Sequence, residues 1–271
     1  MKSLYVRWSG RLGFFLLAVI ALVAILAPVI SPFPQAQQNL AAHLQPPHWG
    51  GPHWLGTDSL GRDLLSRLMY GARLSLFIGV TSVVLSGAIG ITLGLLAGYF
   101  RGPLDDVVMR LAELQLSFPS FLLAVFIAAV LGPSLRNVIV VLTISSWVVY
   151  ARVVRSSVLA EASVDYIEAV RATGAGPGRI MFRHLLPNVL PPVIVVAATS
   201  VGAMITTEAA LSFLGLGVPA SVPTWGAILA AGKDYLLVAW WPTTFPGIAI
   251  LLTVMSVNLI GDWLQRRLAG S

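Results

Sequence analysis

Few residues in this chain have the types and spacing for chemistry, and most of them fail on their surroundings. There is no cysteine, which excludes disulfides, thiol catalysis and Cys-ligated zinc. His48 and His53 could ligate a metal, but Pro47, Gly50, Gly51 and Pro52 make the segment an irregular loop, and no His-Glu-x-x-His pattern occurs. The nucleotide loop Gly-x-x-x-x-Gly-Lys-Ser/Thr is missing: the run from Gly226 to Gly232-Lys233-Asp234 is too long and ends in Asp. Gly215-Leu216-Gly217-Val218-Pro219-Ala220 fits a loose dinucleotide pattern, but it follows an apolar helix and has no strand before it. No catalytic residue, metal site or cofactor is assigned. Glu208 is the acid within an otherwise uncharged run, Val189–Ser212. It lies about 20 residues along that run, near its far end at about 1.5 Å per residue. Its role is either a structural hydrogen bond or ion pair, or a part in gating a substrate path.

The most polar stretch, residues 152–188, carries chemistry of another kind. Its centre reads Asp165-Tyr166-Ile167-Glu168-Ala169-Val170-Arg171-Ala172-Thr173-Gly174-Ala175-Gly176-Pro177. Residues 164–173 can be helical, and Gly174 is placed to end that helix in a left-handed conformation without a Cβ penalty. Pro177 suits the first turn of a second helix, where its missing N–H costs nothing. That second helix should end before Pro187. Two short helices with a break, polar outward and without a catalytic constellation, make a docking element.

The elements that position this loop follow from composition. Of 271 residues 57% are hydrophobic and 10% charged, against about 25% charged in a soluble domain; mean hydropathy is +0.85. An ordinary soluble enzyme and a disordered chain are both excluded. A membrane helix needs about 20 mostly apolar residues. Six candidates run Gly13–Ile30, Leu74–Gly98, Leu114–Leu131, Asn137–Ala151, Val189–Ser212 and Thr243–Gly261. The fourth is short; Arg136 and Arg152 could snorkel at its ends. The first, behind Lys2, Arg7 and Arg11, is too long for a cleaved signal peptide and is expected to stay as an anchor. The expected organisation is a single membrane domain over 1–271: anchor 1–30, outer loop 31–73, and a core 74–271 that contains the 152–188 loop.

The net charge of +6 then reads as topology, not as affinity for nucleic acid. Lys2, Arg7, Arg11, Arg101, Arg110, Arg152, Arg155, Arg171, Arg179, Arg183, Arg266 and Arg267 fall on one side of the alternating spans. Arg62, Arg67, Arg73, Arg136 and Lys233 fall on the other. The richer side is cytoplasmic by the positive-inside rule, which puts both termini there. The spans are nearly free of ionisable groups, so an autonomous ion-coupled transporter, which carries Asp, Glu or His within the bilayer, is disfavoured. A membrane-embedded enzyme lacks its reacting groups. In the second span Ser82, Ser86, Gly90, Gly94 and Gly98 recur every four residues. Such small residues let backbones approach closely, within the chain or against a second subunit. Before that span, Thr57 or Asp58 could cap an outer helix, and Asp63 and Arg67 have i,i+4 spacing.

Glu168-Ala169-x-x-Ala172-x-Gly174-Ala175, followed by Ile180 and Leu186-Pro187-Asn188, resembles the EAA loop of binding-protein-dependent ABC importer permeases. Val170 stands where that family often has a second Ala. Residues 53–76, from His53-Trp54-Leu55-Gly56-Thr57-Asp58 to Ser75-Leu76, are similar to the second, or C-type, permease of dipeptide, oligopeptide and nickel importers. So is Glu208-Ala209-Ala210-Leu211-Ser212-Phe213-Leu214-Gly215-Leu216-Gly217-Val218 with Trp225-Gly226. Phe245-Pro246-Gly247 and Asn258-Leu259-Ile260-Gly261-Asp262 extend the match.

The resemblance implies an all-α type I ABC importer fold with about six transmembrane helices and a cytoplasmic coupling helix, in a prokaryotic inner membrane. It implies four kinds of partner: a paralogous permease, two cytoplasmic ATPases, an extracytoplasmic substrate-binding protein and the lipid bilayer. The residues that meet the ATPase would be Asp165, Glu168, Ala169, Arg171, Ala172, Gly174 and Ala175. The polar ones supply contacts, the alanines a close fit and Gly174 the bend. Peptide is the expected substrate, with nickel or a metal chelate the alternative within the family.

Overall fold

The computed structural model describes residues 2–162 and 164–269. It begins with α1 (Lys2–Ile30), an apolar helix that packs antiparallel on the last helix, α10 (Trp241–Ala269). Two glycines allow the approach: a Cβ on Gly13 would lie 2.8 Å from the Ser256 carbonyl oxygen, and Gly10 sits against the Trp263 ring. Only 17% of the most apolar stretch of α1 is buried, against 44% for α5 (Leu135–Glu161), so α1 flanks the bundle and α5 is its core.

A structured loop joins α1 to α2 (Leu64–Phe100), a single helix of 37 residues. At about 1.5 Å per residue it outreaches a hydrocarbon core of about 30 Å. The sequence placed a cap at Thr57 or Asp58; the helix begins later. Asp63 is the N-cap, its carboxylate accepting from the Ser66 amide at 2.7 Å. Residues 57–63 instead form a turn closed by an isolated bridge between Thr57 and Asp63.

The small-residue stripe of α2 faces α5, within the chain. A Cβ on Gly90 would lie 2.5 Å from the Trp147 carbonyl oxygen, one on Gly94 2.5 Å from that of Ala151, and one on Gly98 2.9 Å from the Val158 Cβ. The rising numbers on both helices show that α2 and α5 run parallel. Ser82 and Ser86 are fully buried, and the Ser86 hydroxyl donates to the Ser82 carbonyl at 2.7 Å.

The expected third span, Leu114–Leu131, is not continuous. It comprises the end of α3 (Gly102–Leu116) and all of α4 (Ser120–Leu131), which meet at 90° across Ser117, Phe118 and Pro119. Pro119 lacks an N–H, and its ring disfavours helical geometry at Phe118, so the helix stops there. The fourth span, predicted short, is the 27-residue α5, capped by Ser134. Among the described residues, helices long and apolar enough to cross a membrane number five, or up to six if the bent pair counts as one span.

After α6 (Asp165–Ala172) comes a single turn, α7 (Pro177–Arg179), then a π-helical turn Ile180–Leu185 and α8 (Leu186–Phe213). The expected break before Pro187 is absent. The Leu186 amide reaches back five residues to the Met181 carbonyl, and this widened turn carries the chain past a proline that cannot donate. Short α9 (Trp225–Gly232), capped by Thr224, leads to α10. Gly202 lies against Val254 and Val257, and Gly261 against Thr199, so α8 and α10 are antiparallel. The start of α1, the ends of α2, α5 and α10, and α6 therefore share one end of the bundle. Residues 31–63 and α9 share the other.

Candidate functional site

The eight-residue helix α6 is held at the bundle end by one deep anchor. Ile167 is fully buried in the core cluster with Val158, Ile180 and Leu185. Val170, one turn on, is half-buried. The remaining face points outward: Glu168, Ala169, Arg171, Ala172 and Gly174 are exposed, and Ala175 is half-buried. Asp165 opens the helix; its side chain lies outside those described. Gly174 has φ +80° and nothing within 4 Å of where a Cβ would stand. The bend therefore comes from backbone conformation and not from crowding. Thr173 closes the helix, its hydroxyl donating to the Val170 carbonyl at 2.7 Å.

A polar tie that the sequence did not single out braces this helix from behind. The Tyr166 hydroxyl donates to Glu161 Oε1 at 2.9 Å. Asn188 Nδ2 donates to Glu161 Oε1 at 2.5 Å and to the Tyr166 oxygen at 2.8 Å. Three elements, the end of α5, α6 and the start of α8, meet at this point. Burial, and then the Glu161 carboxylate, push the Tyr166 phenol above its ordinary value. The Arg171 guanidinium lies 6.0 Å from the Tyr99 ring centre, which links α6 to the end of α2. Helix α6 is thus tied to α2, α5 and α8 together.

At the opposite end the loop before α2 is knit by ions. Asp58 Oδ2 lies 2.7 Å from Arg62 Nε and 2.9 Å from Arg67 Nη1, all three side chains being under a tenth exposed. The expected Asp63–Arg67 pair does not form. Asp63 caps α2 and faces His53 Nδ1 at 3.0 Å, while Arg67 turns to Asp58. The Trp241 indole donates to the Thr57 carbonyl at 3.0 Å, and the Trp225 indole to that of Leu68 at 3.0 Å. These bonds pin the loop and α2 to α9 and α10. Among the described residues no group of three His, Asp or Glu is arranged to hold a metal.

Glu208 is 1% exposed. Its Oε1 accepts from the Ser212 and Thr224 hydroxyls, each at 2.8 Å, and Oε2 has no hydrogen-bond partner. It ties α8 to the cap of α9, where Gly226 leaves room for Oε2: a Cβ there would come within 2.9 Å.

Charge within the bundle is richer than the uncharged stretches suggested. Asp105 on α3 and Arg155 on α5 form a two-point ion pair, both contacts at 2.5 Å. Further along, Gln115 donates to the Ile144 carbonyl at 2.9 Å and accepts from the Trp147 indole at 2.8 Å. The signal in the sequence was the acid-rich start of α3, which falls between the apolar runs Leu74–Gly98 and Leu114–Leu131.

The chain matches the family model described as binding-protein-dependent transport system inner membrane component over residues 90–270. It also matches the N-terminal TM domain of oligopeptide transport permease C over residues 4–47. It is 46% identical to the di/tripeptide transport system permease protein DppC of Pseudomonas aeruginosa (strain UCBPP-PA14), across 95% of this chain and 86% of that one. It is likewise 46% identical to the dipeptide transport system permease protein DppC of Escherichia coli (strain K12), across 93% and 86%. Among solved structures, an inward-facing MetNI methionine ABC transporter aligns with TM-score 0.62 at 23% identity, over 75% of this chain and 97% of that one. At that identity the likeness speaks for the fold alone.

Proposed function

The chain belongs to the family of binding-protein-dependent transport system inner membrane components, and on that premise we propose that it forms half of a peptide-conducting pore and draws its energy through α6. A non-catalytic permease of an ABC importer hydrolyses no ATP of its own, so work must reach it through a docking surface. One observation carries the assignment of that surface to α6. The helix spends Ile167 on anchorage and leaves Glu168, Ala169, Arg171 and Ala172 outward, two charges flanked by two methyls. The small residues let a partner groove close on the helix, and the charges orient it there.

Two cytoplasmic ATPases would seat this helix and its counterpart on a paralogous permease, and a binding protein would deliver short peptides at the opposite end. With α6 cytoplasmic, the start of α1 and the end of α10 would be cytoplasmic as well, since they lie at the same end of the bundle. The peptide assignment rests on the relatives named for di- and tripeptides. ATP-driven closure would move α6 as a rigid body, and the Glu161–Tyr166–Asn188 tie would pass that motion to α5 and α8.

The test is uptake of labelled dialanine into proteoliposomes holding the full set of subunits. ATP-dependent uptake that falls at least tenfold in Glu168→Lys, with the permease pair still assembled, is the expected result. Uptake and ATPase binding unaltered in that variant would overturn the coupling assignment.

A further inference from the structure

We infer that the charged cleft between α3 and α5 holds the two ends of a zwitterionic peptide as it passes through the permease; this rests on the importer reading above. The cleft measures about 440 Å³, within the range of small-molecule sites, about 300–1,000 Å³. Its position follows from two contacts already described. Asp105 meets Arg155 at one end of α3, and Gln115 meets Ile144 and Trp147 at the other. The uncharged stretch of α5 ends at Ala151, too soon to span a core of about 30 Å. Arg152 and Arg155 therefore stand at the boundary of that core, and α3 climbs from there towards its middle.

Helix α3 has three sectors. Val108 and Ala112 are buried against the chain itself. Leu104, Val107, Leu111 and Leu114 are exposed and apolar, the composition of a lipid-facing surface. The third sector carries Asp105, Asp106, Arg110 and Glu113 into the cleft, where Arg152 and Arg155 face them from α5. Charge at the edge of the core is disfavoured against lipid and is found facing water, a polar path or another protein. The apolar sector already supplies a lipid face, and the charged one lines the cleft, where it can receive a ligand.

The charges are also arranged for a ligand that carries both signs. Asp105 and Arg155 neutralise each other, and Arg110 and Glu113 lie 3.5 Å apart. Among the described residues Arg152 and Asp106 form no close ion pair; Asp106 acts at longer range on Arg155, whose guanidinium is already held by Asp105. A guanidinium and a carboxylate left open in one cleft match the carboxylate and ammonium of a short peptide, and the same ends recur in every peptide whatever its side chains. Such a site would select for free termini and not for sequence.

The probe is a dipeptide with free termini and a diazirine-bearing side chain, cross-linked to the permease pair in nanodiscs without the binding protein. The expected label falls in residues 105–116 and 148–156, is displaced by excess dialanine, and drops at least tenfold when the dipeptide is N-acetylated and C-amidated. Arg152→Gln and Asp106→Asn should each lower labelling about tenfold, as expected for one charge-assisted contact, while melting with the wild type; Arg152→Lys and Asp106→Glu should recover it. Label confined to other segments, or equal labelling by the blocked dipeptide, would overturn the inference. So would dipeptide label that falls wholly on the second permease. Labelling needs no ATP, so its failure is distinguishable from failure of the importer reading, which would appear as absent ATP-dependent uptake in the wild type.

Discussion

Gly94 on α2 and Ala151 on α5 are in backbone contact: a methyl group on the glycine would stand 2.5 Å from the alanine carbonyl oxygen. The two helices that frame the bundle core meet here main chain to main chain, with the Val154 Cβ 2.9 Å from the same methyl position. Gly94→Ala should therefore destabilise by about 1–3 kcal/mol, the usual range for overpacking, and Gly90→Ala by a similar amount. Gly87→Ala, whose Cβ would meet Tyr150 at an ordinary 3.7 Å, should be tolerated. Thermal unfolding of the three variants in detergent separates these outcomes.

Asp58 carries two arginines, and removing it strands both. Asp58→Asn leaves Arg67, whose side chain is 2% exposed, buried without its counter-ion, which costs about 3–5 kcal/mol. Asp63→Ala removes the cap of α2 and the partner of His53, for about 1–2 kcal/mol from the cap. Both losses should appear as lowered melting temperatures, the Asp58 variant falling further.

Glu208 allows a separation of structure from gating. Glu208→Gln keeps an acceptor for Ser212 and Thr224 and should melt near the wild type. Glu208→Ala strands both hydroxyls and opens a cavity, at about 2–4 kcal/mol. If Glu208→Gln retains stability and loses uptake, the carboxylate has a role in the substrate path; if it retains both, the residue is a strut between α8 and α9.

The Tyr166 tie has a defined pH range. Burial and the Glu161 charge raise the phenol, so the protonated donor is favoured in the folded state. Its contribution is complete below the ordinary tyrosine range and is lost only as pH rises through the raised value. The contribution of Tyr166 to ATPase docking should therefore stay constant between pH 6 and 9, about four units to one below the ordinary tyrosine value of about 10. Ultraviolet titration should show Tyr166 ionising later than a free tyrosine, and Tyr166→Phe should abolish that late step while weakening docking at every pH.

A last prediction concerns the bend. Gly174 has φ +80° in open space, so Gly174→Ala is disfavoured by backbone conformation alone, by about 1 kcal/mol. Because α6 is one short helix on one deep anchor, the cost should appear as faster local hydrogen exchange at residues 164–175, with little change in global melting.

Much of this was legible before folding. Apolar run lengths placed the spans, and Gly174 and Pro177 marked the break after α6, because these depend on one residue's own preferences or on a local average. The 90° break at Pro119 was also within reach, though the run Leu114–Leu131 concealed it, since hydropathy does not register a missing N–H. Pairings lay beyond reach. Arg67 had Asp63 at helical spacing and chose Asp58, because Asp63 was needed to cap a helix whose start the sequence misjudged. The acids of α3 lie outside every apolar run, and nothing local pairs Asp105 with Arg155, 50 residues on.

The sequence by itself determined that this chain lives in a membrane, roughly where it crosses, and where a short helix ends at Gly174. These follow from composition, length and single-residue geometry. The tertiary structure decided which surfaces meet: that the glycine stripe of α2 is spent on α5 and not on a second subunit, that Glu208 holds α9, and that the charged sector of α3 opens on a cleft. Those outcomes depend on the rotation of each helix about its own axis, which is set by close packing between segments far apart in the chain and by nothing local to any of them.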